Sequence, residues 1–148
     1  MRLYKSRAEL RTMARAAAIA AEAHVRAMQA ARPGLTEAAI EAELVHTFRR
    51  NHAVAAYEPI VGAGANACVL HYRANDAELK AGDLLLIDAG AEYQCYASDI
   101  TRTFPVDGRW RPEQRAIYEV VLDAQRAAIA EARAGNSWIA PHEAAVRT

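Results

Sequence analysis

Leu84-Leu85-Leu86-Ile87-Asp88-Ala89-Gly90 and Ser98-Asp99-Ile100-Thr101-Arg102-Thr103-Phe104-Pro105 decide the reading of this chain. The first stretch is an apolar run ended by an acid. The second belongs to an alternating segment over residues 95–106. One face would carry Tyr96, Ser98, Ile100, Arg102 and Phe104, the other Cys95, Ala97, Asp99, Thr101 and Thr103. Read as an antiparallel hairpin turning at Tyr93-Gln94, the two stretches set Asp88 directly opposite Asp99, with Cβ atoms roughly 4.5–5.5 Å apart on one face. Like charges in opposition destabilise a sheet, and leucine and isoleucine neighbours withhold water from them. Either one carboxyl is protonated or a cation sits between the pair. Two hard oxygen ligands on rigid strands suit Mn²⁺, Co²⁺ or Zn²⁺ in a two-metal site with ions ~3.5–4 Å apart. Asp76, Asp83 and Asp107 read instead as solvated turn residues.

Upstream of the hairpin the period is helical. Ser6-Arg7-Ala8-Glu9 has the form of a capping box, and Leu10, Met13, Ala17, Ala20, His24 and Met28 follow at helical spacing until Pro33-Gly34. A second helix is expected from Thr36 to about Asn51, with Ile40, Leu44, Val45 and Phe48 as its apolar stripe. Aromatic and β-branched residues gather around Pro59 over residues 54–61. Val61-Gly62-Ala63-Gly64-Ala65-Asn66 is a glycine-rich loop without the Gly-Lys-Ser/Thr of a phosphate loop. Cys68-Val69-Leu70-His71-Tyr72 reads as a short strand and residues 79–83 as a turn. After a turn at Asp107-Gly108, Pro112 opens a long helix whose buried stripe would be Ile117, Val120, Val121, Ala124 and Ile129. Gly135-Asn136-Ser137 closes it, and residues 137–148 give the cap and first turns of a fourth helix.

The chain has 148 residues and no formal net charge. That length suits one domain and a sizeable core. Balanced charge offers no electrostatic reason for nucleic acid or an anionic membrane as partner. No apolar run nears the ~20 residues needed to span a bilayer, and Met1-Arg2-Leu3-Tyr4-Lys5-Ser6 has no signal-like apolar core behind it. Cys68 and Cys95 do not make a disulfide framework. They read as two free, buried thiols of a cytoplasmic protein.

The paired motifs, Leu86-Ile87-Asp88-Ala89-Gly90 and Ser98-Asp99-Ile100-Thr101-Arg102-Thr103-Phe104-Pro105, resemble the metal-binding hairpin of Xaa-Pro aminopeptidases and proline dipeptidases, members of the pita-bread metallopeptidases. The resemblance covers essentially the whole chain. Met1–Ser6 with the helix after it resembles the entry to the catalytic domain, and residues 59–72 resemble the stretch that carries a substrate-site histidine. It implies an α+β fold, the first half of a pita-bread domain, with an antiparallel curved sheet and helices on its outer face. Asp88 then chelates one metal, Asp99 bridges two, and His71 hydrogen-bonds substrate and steadies the tetrahedral intermediate. Thr101, on the same predicted face as Asp99, would orient a carboxylate or water. The implied cofactors are two divalent ions, Mn²⁺ first, with Co²⁺ or Zn²⁺ as alternatives. The implied substrate is a peptide with proline in second position, cleaved by a metal-held hydroxide.

The same resemblance requires a histidine and two glutamates from a second half of the fold. His142 and Glu143 match no ligand position, and His24, His46 and His52 read as packing or surface residues. Residues 1–148 are therefore expected to be a partial catalytic domain that ends before its second half, with an open sheet edge and apolar helix surface. Three readings follow. The chain is a portion of a metallo-exopeptidase, inactive alone; or a half-domain completed by another polypeptide or a second copy of itself; or a non-catalytic pita-bread relative. Proline dipeptidase activity is the alternative to aminopeptidase activity.

Overall fold

The structure, a computed structural model, describes residues 3–148. Of the N-terminal stretch singled out above, Met1 and Arg2 lie outside the described residues. The chain divides into two compact units, Met1–Arg109 and Trp110–Thr148.

In the first unit, helix α1 spans Arg7–Ala30. It starts where the capping box predicts. The Glu9 amide donates to Ser6 Oγ (3.3 Å) and the Ser6 amide to the Glu9 carboxylate (2.6 Å). It stops at Ala30 because Pro33 disfavours helical backbone before it and Gly34 takes φ +88°. The buried face differs from the expected one. It is Ala16, Ile19, Ala20, Ala23, His24 and Ala27, while Leu10, Ala17 and Met28 are exposed. Alanine lies on every side of this helix, so residue size alone does not select the face. The stripe that sets Ala16, Ala20, Ala23 and Ala27 around Ile19 is the one that lets the helix approach its neighbours closely. Helix α2, Glu37–Arg50, is capped by Thr36, whose hydroxyl accepts from the Ala39 amide at 3.2 Å. It buries Ile40, Leu44 and Phe48 fully, each contributing ~1.5–3 kcal/mol, whereas Val45 faces outward.

Six short strands follow: β1 (Val54–Ala55), β2 (Ile60–Ala63), β3 (Leu84–Ala89), β4 (Ala91–Tyr93), β5 (Tyr96–Ala97) and β6 (Ile100–Pro105). They form two antiparallel sheets, ordered β2-β3-β6 and β1-β4-β5. One long hairpin runs through both. Leu84 pairs with Pro105 in the first sheet, and Tyr93 pairs with Tyr96 in the second. The hairpin turns on Gln94 and Cys95, both at positive φ (+50° and +66°), as a tight two-residue turn requires. Helices α1 and α2 share one core with Val61, Leu85, Ile87 and Ala89 of the sheet.

Three local expectations are corrected. Residues 68–72 are not a strand. Gly64–Cys68 forms a single 3-10 turn and the chain then bends back, with His71 at φ +55°. Gly62 allows this, since a Cβ there would meet the Ala67 amide nitrogen at 3.0 Å. Cys68 and Cys95 are free, as expected, but exposed rather than buried. One ends the 3-10 turn and the other sits at the hairpin tip. Third, the stripe of helix α3 does not form a core. The second unit consists of α3, Pro112–Glu131, and α4, Ala140–Arg147, with Trp110 against Tyr118 at 4.7 Å between ring centroids. Ile117, Val120, Val121 and Ile129 are exposed. The helical period was read correctly, but within its unit this 20-residue helix has only the eight-residue α4 to cover it.

Candidate metal centre

β3 owes its alternating burial to the pleat. Leu85, Ile87 and Ala89 point into the core, while Leu84, Leu86 and Asp88 point to the other, half-buried face. On that face Asp88 pairs with Thr101, not with Asp99. The register is shifted by two residues from the expected one, because the turn is centred on Gln94-Cys95 rather than Tyr93-Gln94. A shift of two preserves the face. Asp99 lies just before β6, two residues ahead of Thr101, so Asp88 and Asp99 meet on the diagonal instead of head-on.

Tyr57 shows that they meet. Its hydroxyl lies 2.5 Å from Asp88 Oδ1 and 2.9 Å from Asp99 Oδ1. The residue sits between β1 and β2, in a segment fixed by the Ala56 amide donating to the Gly90 carbonyl (2.9 Å) and by Ile60 pairing with Asp88. Gly90 leaves room for the ring. A Cβ there would come within 3.0 Å of Tyr57 Cε1 and 1.8 Å of the Ser98 carbonyl oxygen. Burial raises the Tyr57 hydroxyl far above the ordinary phenol range, and the bonds to Asp88 and then Asp99 raise it further. Tyr57 therefore stays a proton donor, sharing one proton between two carboxylates.

Asp88 is half-buried and Asp99 exposed, so the pair opens to solvent on one side. Thr101 is exposed beside them and opposite Asp88. His71 is exposed on the loop after the 3-10 turn and, among the described residues, makes no hydrogen bond. His24 is buried with Nδ1 2.9 Å from the Ala20 carbonyl, while His46, His52 and His142 are exposed. Glu143 faces Arg147 at 4.0 Å along α4. Among the described residues no group of three or more His, Cys, Asp or Glu side chains could hold a metal ion. The donor set fits two oxygen-ligating residues of a divalent-metal site, not a complete one.

The sequence matches metallopeptidase family M24 over residues 11–148. The chain belongs to this family. Among M24 relatives, it is 49% identical over 138 residues to the Xaa-Pro aminopeptidase of Escherichia coli K12, covering 93% of this chain and 31% of that protein. It is 51% identical over 138 residues to the Xaa-Pro aminopeptidase of Haemophilus influenzae, covering 93% and 32%. The structure superposes on the aminopeptidase PepP of Pseudomonas aeruginosa with a TM-score of 0.97 at 58% identity, over 99% of this chain and 33% of that one. This M24 chain thus spans about a third of the length of the relatives it matches. Over the third of that aminopeptidase that it covers, its mix of helices and antiparallel sheet follows the same pita-bread architecture.

Tyr57 is the residue that the sequence reading missed. It lies 31 and 42 positions from the aspartates it joins, in a stretch singled out only for its aromatic and β-branched content.

Proposed function

We propose that this M24 chain is the metal-ligating first portion of an Xaa-Pro aminopeptidase, cleaving the N-terminal residue from peptides with proline in second position. The observation that carries the reading is Tyr57 holding Asp88 and Asp99 with one hydroxyl. Two carboxylates focused on one point, open to solvent on the far side, are the arrangement a divalent cation exploits. Asp88 would chelate from the end of β3. Asp99 would bridge from the approach to β6. Tyr57 would hold both side chains in aim, and Thr101 would help orient a carboxylate or a water. Two bound divalent ions, Mn²⁺ by preference, would supply an acidified hydroxide and polarise the scissile carbonyl. His71 would donate a hydrogen bond to the substrate and to its developing oxyanion.

The set of ligands in residues 1–148 is incomplete, so the chain alone is expected to be inactive, its site completed by chain beyond this portion or by a second copy. A proline dipeptidase is the alternative within the same chemistry. The free thiols Cys68 and Cys95 support the cytoplasm as its compartment.

Calorimetric titration with Mn²⁺ tests the ligand assignment. Binding should be weak in the wild-type chain and absent in both Asp88→Asn and Asp99→Asn. Equal binding in all three sinks the assignment. Hydrolysis of an Xaa-Pro peptide by the pure 148-residue chain would overturn the claim that further ligands are needed.

A further inference from the structure

The loop that carries His71 is not held by its own apolar residues. Cys68, Val69, Leu70 and His71 are all exposed, Leu70 at 88%. Both of its ends are gripped by one carboxylate. Glu37, the first residue of α2, is fully buried. Its Oε1 accepts from the Ala63 amide (2.7 Å) and Asn66 Nδ2 (3.1 Å), where the chain leaves β2. Its Oε2 accepts from the Tyr72 hydroxyl (2.9 Å) and the Ala77 amide (3.0 Å), where the loop returns. Asn66 Nδ2 also lies 3.0 Å from the Tyr72 hydroxyl and ties the two ends together. Burial and the bond to Glu37 both raise the Tyr72 hydroxyl above the ordinary phenol range.

A buried carboxylate is tolerated only when it is well supplied with donors, and Glu37 has four. Asn75 adds a parallel hold. It accepts from the Val61 amide (3.0 Å) and donates to the Pro59 carbonyl (2.8 Å) and to Glu41, one helical turn after Glu37. The outward amides of β2 are thus taken by side chains, and β2 in turn pairs Ile60 with Asp88. Backbone strain marks the same loop. His71 (φ +55°) and Asn75 (φ +47°) occupy the left-handed region, which non-glycine residues keep only where surrounding contacts impose it.

We propose that Glu37 is the positioning residue for His71. By gripping both ends of the loop against β2, it fixes that histidine in the frame of the strand that carries Asp88. The functional meaning rests on the substrate-site role of His71 proposed above, whereas the mechanical link is testable by itself.

The test uses amide hydrogen exchange and the imidazole resonances of His71 in the 148-residue chain. Glu37→Gln keeps the shape but turns an NH2 toward two donors. Exchange at Ala63, Tyr72 and Ala77 should speed up by roughly ten-fold, with broadened or shifted His71 signals, while β3 and β6 amides keep their rates. Leu44→Ala, which destabilises the core without touching the loop, should not reproduce this pattern. If Glu37→Gln fails to fold, Tyr72→Phe, which removes the hydroxyl shared with Glu37, Asn66 and Asp76 but leaves the Ala63 and Ala77 amides bonded to Glu37, should show the same pattern at Tyr72 and Ala77. Unchanged exchange and unchanged His71 resonances in the folded variant overturn the proposal, as does the same local pattern in Leu44→Ala. Failure of the wild-type chain to bind Mn²⁺ would instead count against the metal reading and leave this result standing.

Discussion

Asp88 pairs with Thr101, yet shares a hydroxyl proton with Asp99 through Tyr57. The diagonal arrangement keeps two like charges from lying directly opposite in the ladder while leaving both aimed at one point. Without a cation, Tyr57 is what reconciles them. Tyr57→Phe should therefore lower the stability of the metal-free chain by about 1 kcal/mol, the scale of a part-exposed hydrogen bond to charge. Added Mn²⁺ should raise the Tm of the variant less than that of the wild type, since Tyr57 no longer holds the two carboxylates in aim. A Tm unchanged by the substitution in chelator would show that the bridge contributes nothing.

Gly90 and Gly108 should separate two reasons for glycine. At Gly90 a methyl group would fall 1.8 Å from the Ser98 carbonyl oxygen and against the Tyr57 ring, so Gly90→Ala must move backbone and should cost ~3 kcal/mol or more. Gly108 has open space but φ +71°, so Gly108→Ala should cost ~1 kcal/mol from backbone strain alone. Urea unfolding of the two variants reads both, and equal costs would contradict the close-approach argument.

Much of this site was legible because its parts are local. The capping box of α1, the cap and stripe of α2 and the alternation through β3 and β6 all depend on residues a few positions apart. The face shared by Asp88 and Asp99 survived an error in register because side-chain direction has period two. What was not legible depends on partners distant in sequence. Tyr57 reaches Asp88 only after β2 has paired with β3. Residues 68–72 have the composition of a strand, but no neighbouring strand takes their backbone groups, and Glu37 and Gly62 hold that region as a turn. The α3 stripe had the right period and too little partner.

Cys68 and Cys95 are both exposed, so both should react with a thiol reagent in the native chain, without denaturant. The measurement is a count of thiols titrated before and after adding guanidinium. A second thiol appearing only on unfolding would restore the buried reading for one of them.

Glu9 should impose a specific pH dependence on stability. It closes the capping box on the Ser6 amide and also accepts from the Tyr96 hydroxyl at 2.8 Å, which ties the start of α1 to β5. The Ser6 amide, then the Tyr96 hydroxyl and the Ser6 hydroxyl, hold its carboxyl below the usual carboxylate range. A depressed folded pKa contributes stability above the unfolded value of 4.5, and that contribution is lost as pH falls through the folded value. Glu9→Gln should therefore melt below the wild type at neutral pH, with the gap closing as pH drops below 4.5. Ser6→Ala removes only the hydroxyl half of the box, costs about 1 kcal/mol at neutral pH, and should weaken the pH dependence without abolishing it, because the amide of residue 6 and the Tyr96 hydroxyl still donate to Glu9. Melting curves of the three proteins from neutral pH to about pH 3 give the comparison. A gap between Glu9→Gln and wild type that stays constant across that range would mean that the carboxylate charge has no part in holding α1 to the hairpin.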